Sequence, residues 1–90
     1  MRPSRNILLL EALGLVLKER RQELGMTQED VAGEAEIDRP FVTLIEAARK
    51  QPTVSVFWKL ATALQLGPGE LASRVDQRYL KLVRLARSSG

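Results

Sequence analysis

The stretch Gly25 to Pro52, reading GMTQEDVAGEAEIDRPFVTLIEAARKQP, constrains this chain most. It holds two short runs of apolar residues at helical spacing, a few residues apart, each preceded by a side chain able to cap a helix. In the first run Thr27 stands three residues before Asp30, so the Thr27 hydroxyl can accept the Asp30 backbone N–H while the Asp30 carboxylate reaches back. That capping box starts a helix at Gln28. Val31, Ala32 and Ala35 then share one face, leaving Gln28, Glu29 and Glu34 toward water or a partner. The small alanines let another helix come close, and Ile37 beyond the turn can plug the gap between the two axes.

The second run follows Asp38, a good N-cap, and contains Pro40, which belongs in a first turn where its missing N–H costs little. The helix can begin at Arg39 or at Pro40. Phe41, Val42 and Ile45 form the inward stripe, so Arg39, Pro40, Thr43 and Leu44 share the outward face. The stretch therefore reads as helix, turn, helix, with an outward face free for recognition.

These residues resemble the phage-repressor and Cro-like (XRE-type) helix-turn-helix family, in which a glycine, an apolar residue and Thr/Ser/Asn-Gln open the second helix. Gly25-Met26-Thr27-Gln28, Val31-Ala32, Ala35, Ile37, Val42, Ile45-Glu46 and Pro52 fall where that family's pattern places them. Lys59-Leu60-Ala61 with Ala63-Leu64 fits its fourth helix, so the resemblance covers about residues 13–72. The GMTQED opening and Asp38-Arg39 are also similar to the small controller proteins of restriction-modification systems, a subgroup of the same fold. The family usually has glycine at the positions of Glu36 and Ala48, in turns that favour positive φ. With both glycines absent, the expectation is a slightly rebuilt turn after each helix. The resemblance further implies that Arg21 pairs with Glu46 and joins the first helix to the third.

Composition closes off other chemistry. The 90 residues include no cysteine and no histidine, which excludes disulfides, thiolate chemistry, imidazole bases and the commonest zinc sites. Isolated Asp and Glu residues are accounted for by helix caps and solvated faces. No catalytic residue, metal, cofactor or small-molecule ligand is expected, and the chain reads as a non-enzyme. Lys and Arg number 14 against 11 Asp and Glu, and the pI near 9.8 favours a polyanionic partner. The longest apolar run, Ile7 to Leu10, is too short for a membrane span or a signal sequence, so a cytoplasmic protein is expected.

Along the rest of the chain, Met1 to Arg5 reads as a basic terminus, either frayed or touching a phosphate backbone. Asn6 can cap a first helix whose inward stripe is Ile7, Leu10, Leu13, Leu17 and Leu24, with Leu8, Leu9, Leu15 and Val16 as surplus apolar surface. Gly25 ends it as a left-handed cap, with Arg20 and Arg21 complementing its dipole. Thr53 caps a fourth helix with Val54, Phe57, Leu60, Ala61 and Leu64 inward, stopped by Leu66-Gly67-Pro68. Trp58 falls off that stripe, and two readings stand: an interface, or packing under the last helix. That last helix carries Leu71, Val75, Tyr79, Leu82, Val83 and Ala86 on one side, with Arg74, Arg78, Lys81 and Arg84 largely on a solvated other side. It should cover the surplus of the first helix, within one subunit or across a dimer.

The expected fold is therefore all-α: a compact five-helix phage-repressor-like DNA-binding domain over residues 6–87, with the helix-turn-helix at 28–46 and an extended C-terminal helix. Residues 1–5 and 88–90 would be flexible termini. The helices should span about 7–24, 28–35, 39–46, 54–65 and 69–87. The resemblance and the outward face together imply a sequence-specific double-stranded DNA-binding transcriptional regulator, acting as a homodimer on an inverted repeat. Arg39 could fork onto guanine O6 and N7 or onto a phosphate, Thr43 could reach a base edge, and Pro40 with Leu44 could meet thymine methyls. Thr27, Gln28 and the N–H groups opening the second helix, with Arg49 and Lys50 on the loop after the third, would hold phosphates. Trp58, Thr62, Tyr79, Leu82 and Val83 are the candidate dimer interface. The alternative is a helical protein-interaction module that binds through Leu8, Leu9, Trp58 and Tyr79.

Overall fold

Each helix of the computed structural model, which describes residues 5–88, starts and stops for a local reason. The order is α1 Ile7–Glu23, α2 Gln28–Ala35, α3 Arg39–Glu46, α4 Val54–Ala63 and α5 Pro68–Ser88, with no strand among the described residues. Asn6 caps α1 by accepting the Leu9 N–H at 3.1 Å, and Thr53 caps α4 by accepting the Val56 N–H at 3.2 Å. Thr27 and Asp30 form the reciprocal capping box of α2, with bonds of 3.0 and 2.8 Å. Asp38 departs from expectation: it occupies the N-cap of α3, but its side chain makes no capping bond. The helix starts at Arg39, with Pro40 in its first turn.

The four C-terminal ends of α1 to α4 are built alike. A residue in the left-handed conformation follows each, at Gly25 (φ +68°), Glu36 (φ +56°), Ala48 (φ +60°) and Gln65 (φ +58°). The next N–H reaches back five residues to a helix carbonyl: Met26 to Arg21, Ile37 to Ala32, Arg49 to Leu44 and Leu66 to Ala61, at 2.9–3.0 Å. The turns at Glu36 and Ala48 are therefore not rebuilt. Their backbone takes the glycine conformation without glycine, because the bonds that close the helix end outweigh the steric cost of a Cβ there. The same turn at Gln65 ends α4 two residues before the predicted boundary, ahead of Leu66-Gly67-Pro68, and frees Pro68 to open α5.

The core gathers Leu13, Val16 and Leu17 of α1, Val31 and Ala35 of α2, Val42 and Ile45 of α3, Leu60 and Leu64 near α4, and Leu71 and Val75 of α5. Burying the valine, leucine and isoleucine side chains among these contributes roughly 1.5–3 kcal/mol each. Two inward assignments on α1 and α4 fail, and Ala86, grouped with the apolar side of the last helix, is exposed. Ile7 is 56% exposed and Val54 73%, since each sits in the first turn of its helix. Conversely Val16, expected as surplus, is core. Helix α1 packs against both α3 and α5, so its buried arc is wider than one stripe and takes in Ala12 and Val16 as well as Leu10, Leu13 and Leu17.

Gly14 lies in the middle of α1 where α3 ends. A Cβ there would stand 2.5 Å from the carbonyl oxygen of Glu46 and 3.0 Å from that of Ile45. Glycine sets the approach of the two helices. Helix α5 packs on α1 within the same chain: Leu71 and Val75 are buried, Tyr79 and Leu82 are half-buried against the core, and the Tyr79 hydroxyl accepts from Asn6 Nδ2 at 3.0 Å. Arg78 and Arg74 remain partly exposed and also reach α1. Arg78 pairs with Glu19 at 2.8 Å and Arg74 stands 3.6 Å from Glu23, so these arginines tie α5 to α1.

Candidate nucleic-acid interface

Helix α3 uses Val42 and Ile45 for the core and turns Arg39, Pro40, Thr43 and Leu44 outward, all exposed. Beside it, the start of α2 supplies Thr27 and Gln28; these two and Arg39 border one open hollow of about 440 Å³. The structure thus brings an arginine read as base-contacting next to residues read as phosphate-contacting. Arg49 and Lys50 lie exposed on the loop leaving α3. Lys50 also has a local partner that spacing did not reveal: its Nζ stands 5.2 Å from the centre of the Phe41 ring, a cation–π contact. Arg5 is exposed; the remaining N-terminal arginine, Arg2, lies outside the described residues.

The two helices are locked by one chain of polar contacts. Arg21 Nε donates to Glu46 Oε2 at 2.7 Å and Arg21 Nη2 to Glu46 Oε1 at 3.0 Å, while Arg21 Nη1 donates to the Met26 carbonyl at 3.0 Å. One guanidinium thereby fastens α1, the α1–α2 turn and α3. The side chains are only 13% and 6% exposed, and the hydrogen bond to Glu46 raises the Arg21 pKa above its ordinary value despite the opposing effect of burial. Gln28 Nε2 donates to Glu46 Oε1 at 3.0 Å, and Thr43 Oγ1 donates to Gln28 Oε1 at 2.6 Å. The Gln28 side chain is therefore engaged within the protein.

Arg20 stands in the last turn of α1, and its Nε also donates to the Leu64 carbonyl at the end of α4, at 3.0 Å. Among the candidate interface residues, Trp58 is 54% exposed and touches Phe57 edge-on. It is not covered by α5. Thr62 is exposed, with its hydroxyl donating to the Trp58 carbonyl, whereas Tyr79, Leu82 and Val83 are half-buried. On the distal part of α5 the exposed apolar residues are Leu80, at 51%, and Leu85, at 64%, neither of which helical periodicity singled out. Among the described residues there is no cluster of acidic side chains able to hold a metal, and no helix is long and apolar enough to cross a membrane.

Two short helices closed by a left-handed turn, buried on one side and exposed on the other, define a helix-turn-helix protein. Residues 17–71 match the helix-turn-helix family, and the chain belongs to it. It is similar to the transcriptional regulator ClgR of Mycobacterium tuberculosis, with 30% identity over 82 residues that cover 91% of this chain and 73% of ClgR. Among solved structures, the restriction-modification controller protein C.AhdI from Aeromonas hydrophila superposes with a TM-score of 0.67. It is 35% identical, over 69% of this chain and 94% of C.AhdI. The controller C.Esp1396I, solved as a tetramer in complex with its natural 35 base-pair operator, gives a TM-score of 0.74 at 28% identity, over 80% of this chain and 95% of that one.

Proposed function

We propose that this protein is a sequence-specific double-stranded DNA-binding transcriptional regulator, with α3 as the helix that enters the major groove. The observation that carries this is the outward face of α3, on which Arg39, Pro40, Thr43 and Leu44 are exposed while Val42 and Ile45 hold the helix to the core. A second feature supports it: the exposed basic pair Arg49 and Lys50 flanks that face. In this reading Arg39 and Thr43 read base edges, Pro40 and Leu44 meet thymine methyls, and Thr27, Gln28, Arg49 and Lys50 lie along the phosphates, with the Gln28 contribution coming from its backbone. The protein regulates rather than catalyses, in the cytoplasm, and needs no cofactor.

It works as a homodimer on an inverted repeat, with recognition helices about 34 Å apart, one turn of DNA. Exposed Trp58, Leu80 and Leu85 are the apolar surface such a dimer would cover. Binding to random duplex across a salt series tests the first claim: affinity should fall steeply as salt rises. Salt-insensitive inertness would instead leave an interaction module. Sedimentation at tens of micromolar tests the second, and a monomeric mass with and without duplex refutes the dimer.

A further inference from the structure

Helix α3 presents one hydroxyl on its outward face, that of Thr43, and its proton already has a destination. Thr43 Oγ1 lies 2.6 Å from Gln28 Oε1 and 3.3 Å from the Arg39 carbonyl oxygen. Both neighbours are acceptors, so whichever receives the proton, the hydroxyl donates into the protein. The orientation of the Gln28 amide is fixed from its other side. Gln28 faces Glu46 Oε1 at 3.0 Å, and the two oxygens of Glu46 already accept bonds from Arg21. A carboxylate can only accept, so Gln28 must turn its NH2 to Glu46 and its oxygen to Thr43. The charge pair between α1 and α3 thus sets, through one amide, the polarity of an exposed hydroxyl. Toward the groove Thr43 has lone pairs and no proton.

We propose that Thr43 is a specificity-determining residue that can only accept, with Gln28 as its positioning residue. The base it meets must then offer an exocyclic amine, which in the major groove means adenine N6 or cytosine N4 and excludes guanine O6 or N7 and thymine O4. The proposal rests on the DNA-binding reading above. It goes beyond placing Thr43 near a base edge, because it states which half of the hydrogen-bond code the residue can use.

Selection of bound duplexes from a random pool, using the whole chain and its Thr43→Val and Gln28→Leu variants, tests it. The unmodified protein should return one base position restricted to adenine or cytosine. Thr43→Val should level that position alone, with a drop of about three- to tenfold in discrimination, the worth of one hydrogen bond. Gln28→Leu should admit guanine and thymine at the same position, because only the weaker acceptor at 3.3 Å remains and the hydroxyl can turn outward to donate. A base analogue lacking the exocyclic amine, placed at that position, should weaken the unmodified protein by a similar factor and leave Thr43→Val unaffected. This arm holds even if the Gln28 variant does not fold. Guanine or thymine at the position that Thr43→Val levels, or a preference that survives Thr43→Val, overturns the proposal and leaves DNA binding standing. A pool returned without enrichment overturns the DNA-binding reading itself.

Discussion

Gly14 of α1 and the carbonyl of Glu46 in α3 approach so closely that a single added carbon would sit 2.5 Å from the oxygen. In an open helix, glycine to alanine gains roughly 1 kcal/mol from reduced chain entropy. Here the atoms in the way are backbone and cannot rotate aside. Gly14→Ala should therefore destabilise the protein by about 1–3 kcal/mol, the usual cost of overpacking. Gly33→Ala is the matched control, since a Cβ there meets nothing within 4 Å, and it should raise the melting temperature. Thermal melts of the two variants should move in opposite directions.

Removing Glu46 strands the Arg21 guanidinium between α1 and α3, because Glu46 supplies two of its bonds. Glu46→Ala should cost about 3–5 kcal/mol. An unchanged melting temperature would mean that water replaces the carboxylate without penalty.

Three of the four left-handed helix ends carry a Cβ, at Glu36, Ala48 and Gln65. Glu36→Gly and Ala48→Gly should each stabilise by about 0.5–1 kcal/mol, the relief of steric strain less the entropy glycine brings to the unfolded chain. Both positions lie outside the polar chain through Gln28, so the gains should add in urea titrations.

The Asp30 carboxyl accepts the Thr27 backbone N–H and answers the Thr27 side chain, and these bonds lower its pKa below the ordinary 3.8. A lowered folded value contributes stability that is full above 3.8 and is lost as pH falls through the folded value. Asp30→Asn should thus flatten the acid limb of a plot of melting temperature against pH and leave its shape near neutrality unchanged. An identical acid limb in the two proteins would show that the cap does not titrate with folding.

Arg39 and Lys50 should fail differently. Arg39→Ala should cost about 1–3 kcal/mol on the preferred duplex and relax one base pair, with little effect on unrelated DNA. Lys50→Ala should weaken all duplexes together and flatten the salt slope by about one unit for each phosphate that the lysine had neutralised. Equal weakening on specific and random duplexes for Arg39→Ala would make it a phosphate clamp, a role its place beside the start of α2 also suits.

Much of this was legible because it is written locally. The Thr27–Asp30 capping box and the Val42–Ile45 stripe depend on residues within one turn, and they set α2 and the buried side of α3 correctly. The left-handed turns at Glu36 and Ala48 were harder, since glycine is only the cheapest way to reach that conformation and backbone bonds can enforce it on other residues. Gly14, Ile7 and Val54 could not be placed from periodicity. Their surroundings depend on which helices cross α1 and α4, and where. In the site, Arg21 and Glu46 came from resemblance, whereas the bond from Thr43 to Gln28 joins two helices across a turn and has no signature in either run.

The polar chain from Arg21 to Thr43 also sorts the recognition face by how easily it can diverge. Arg39, Pro40 and Leu44 extend outward, and their side chains take no part in that chain, so, on the DNA-binding reading proposed above, a descendant of this protein could exchange them and change its preferred duplex at little thermodynamic cost. Thr43 is different in kind. Its partner Gln28 also holds the carboxylate that fastens α1 to α3, so a lineage that rewrites position 43 inherits an unmatched amide beside its structural charge pair. Retargeting should therefore run through the three free positions first, with 28 and 43 changing together when they change.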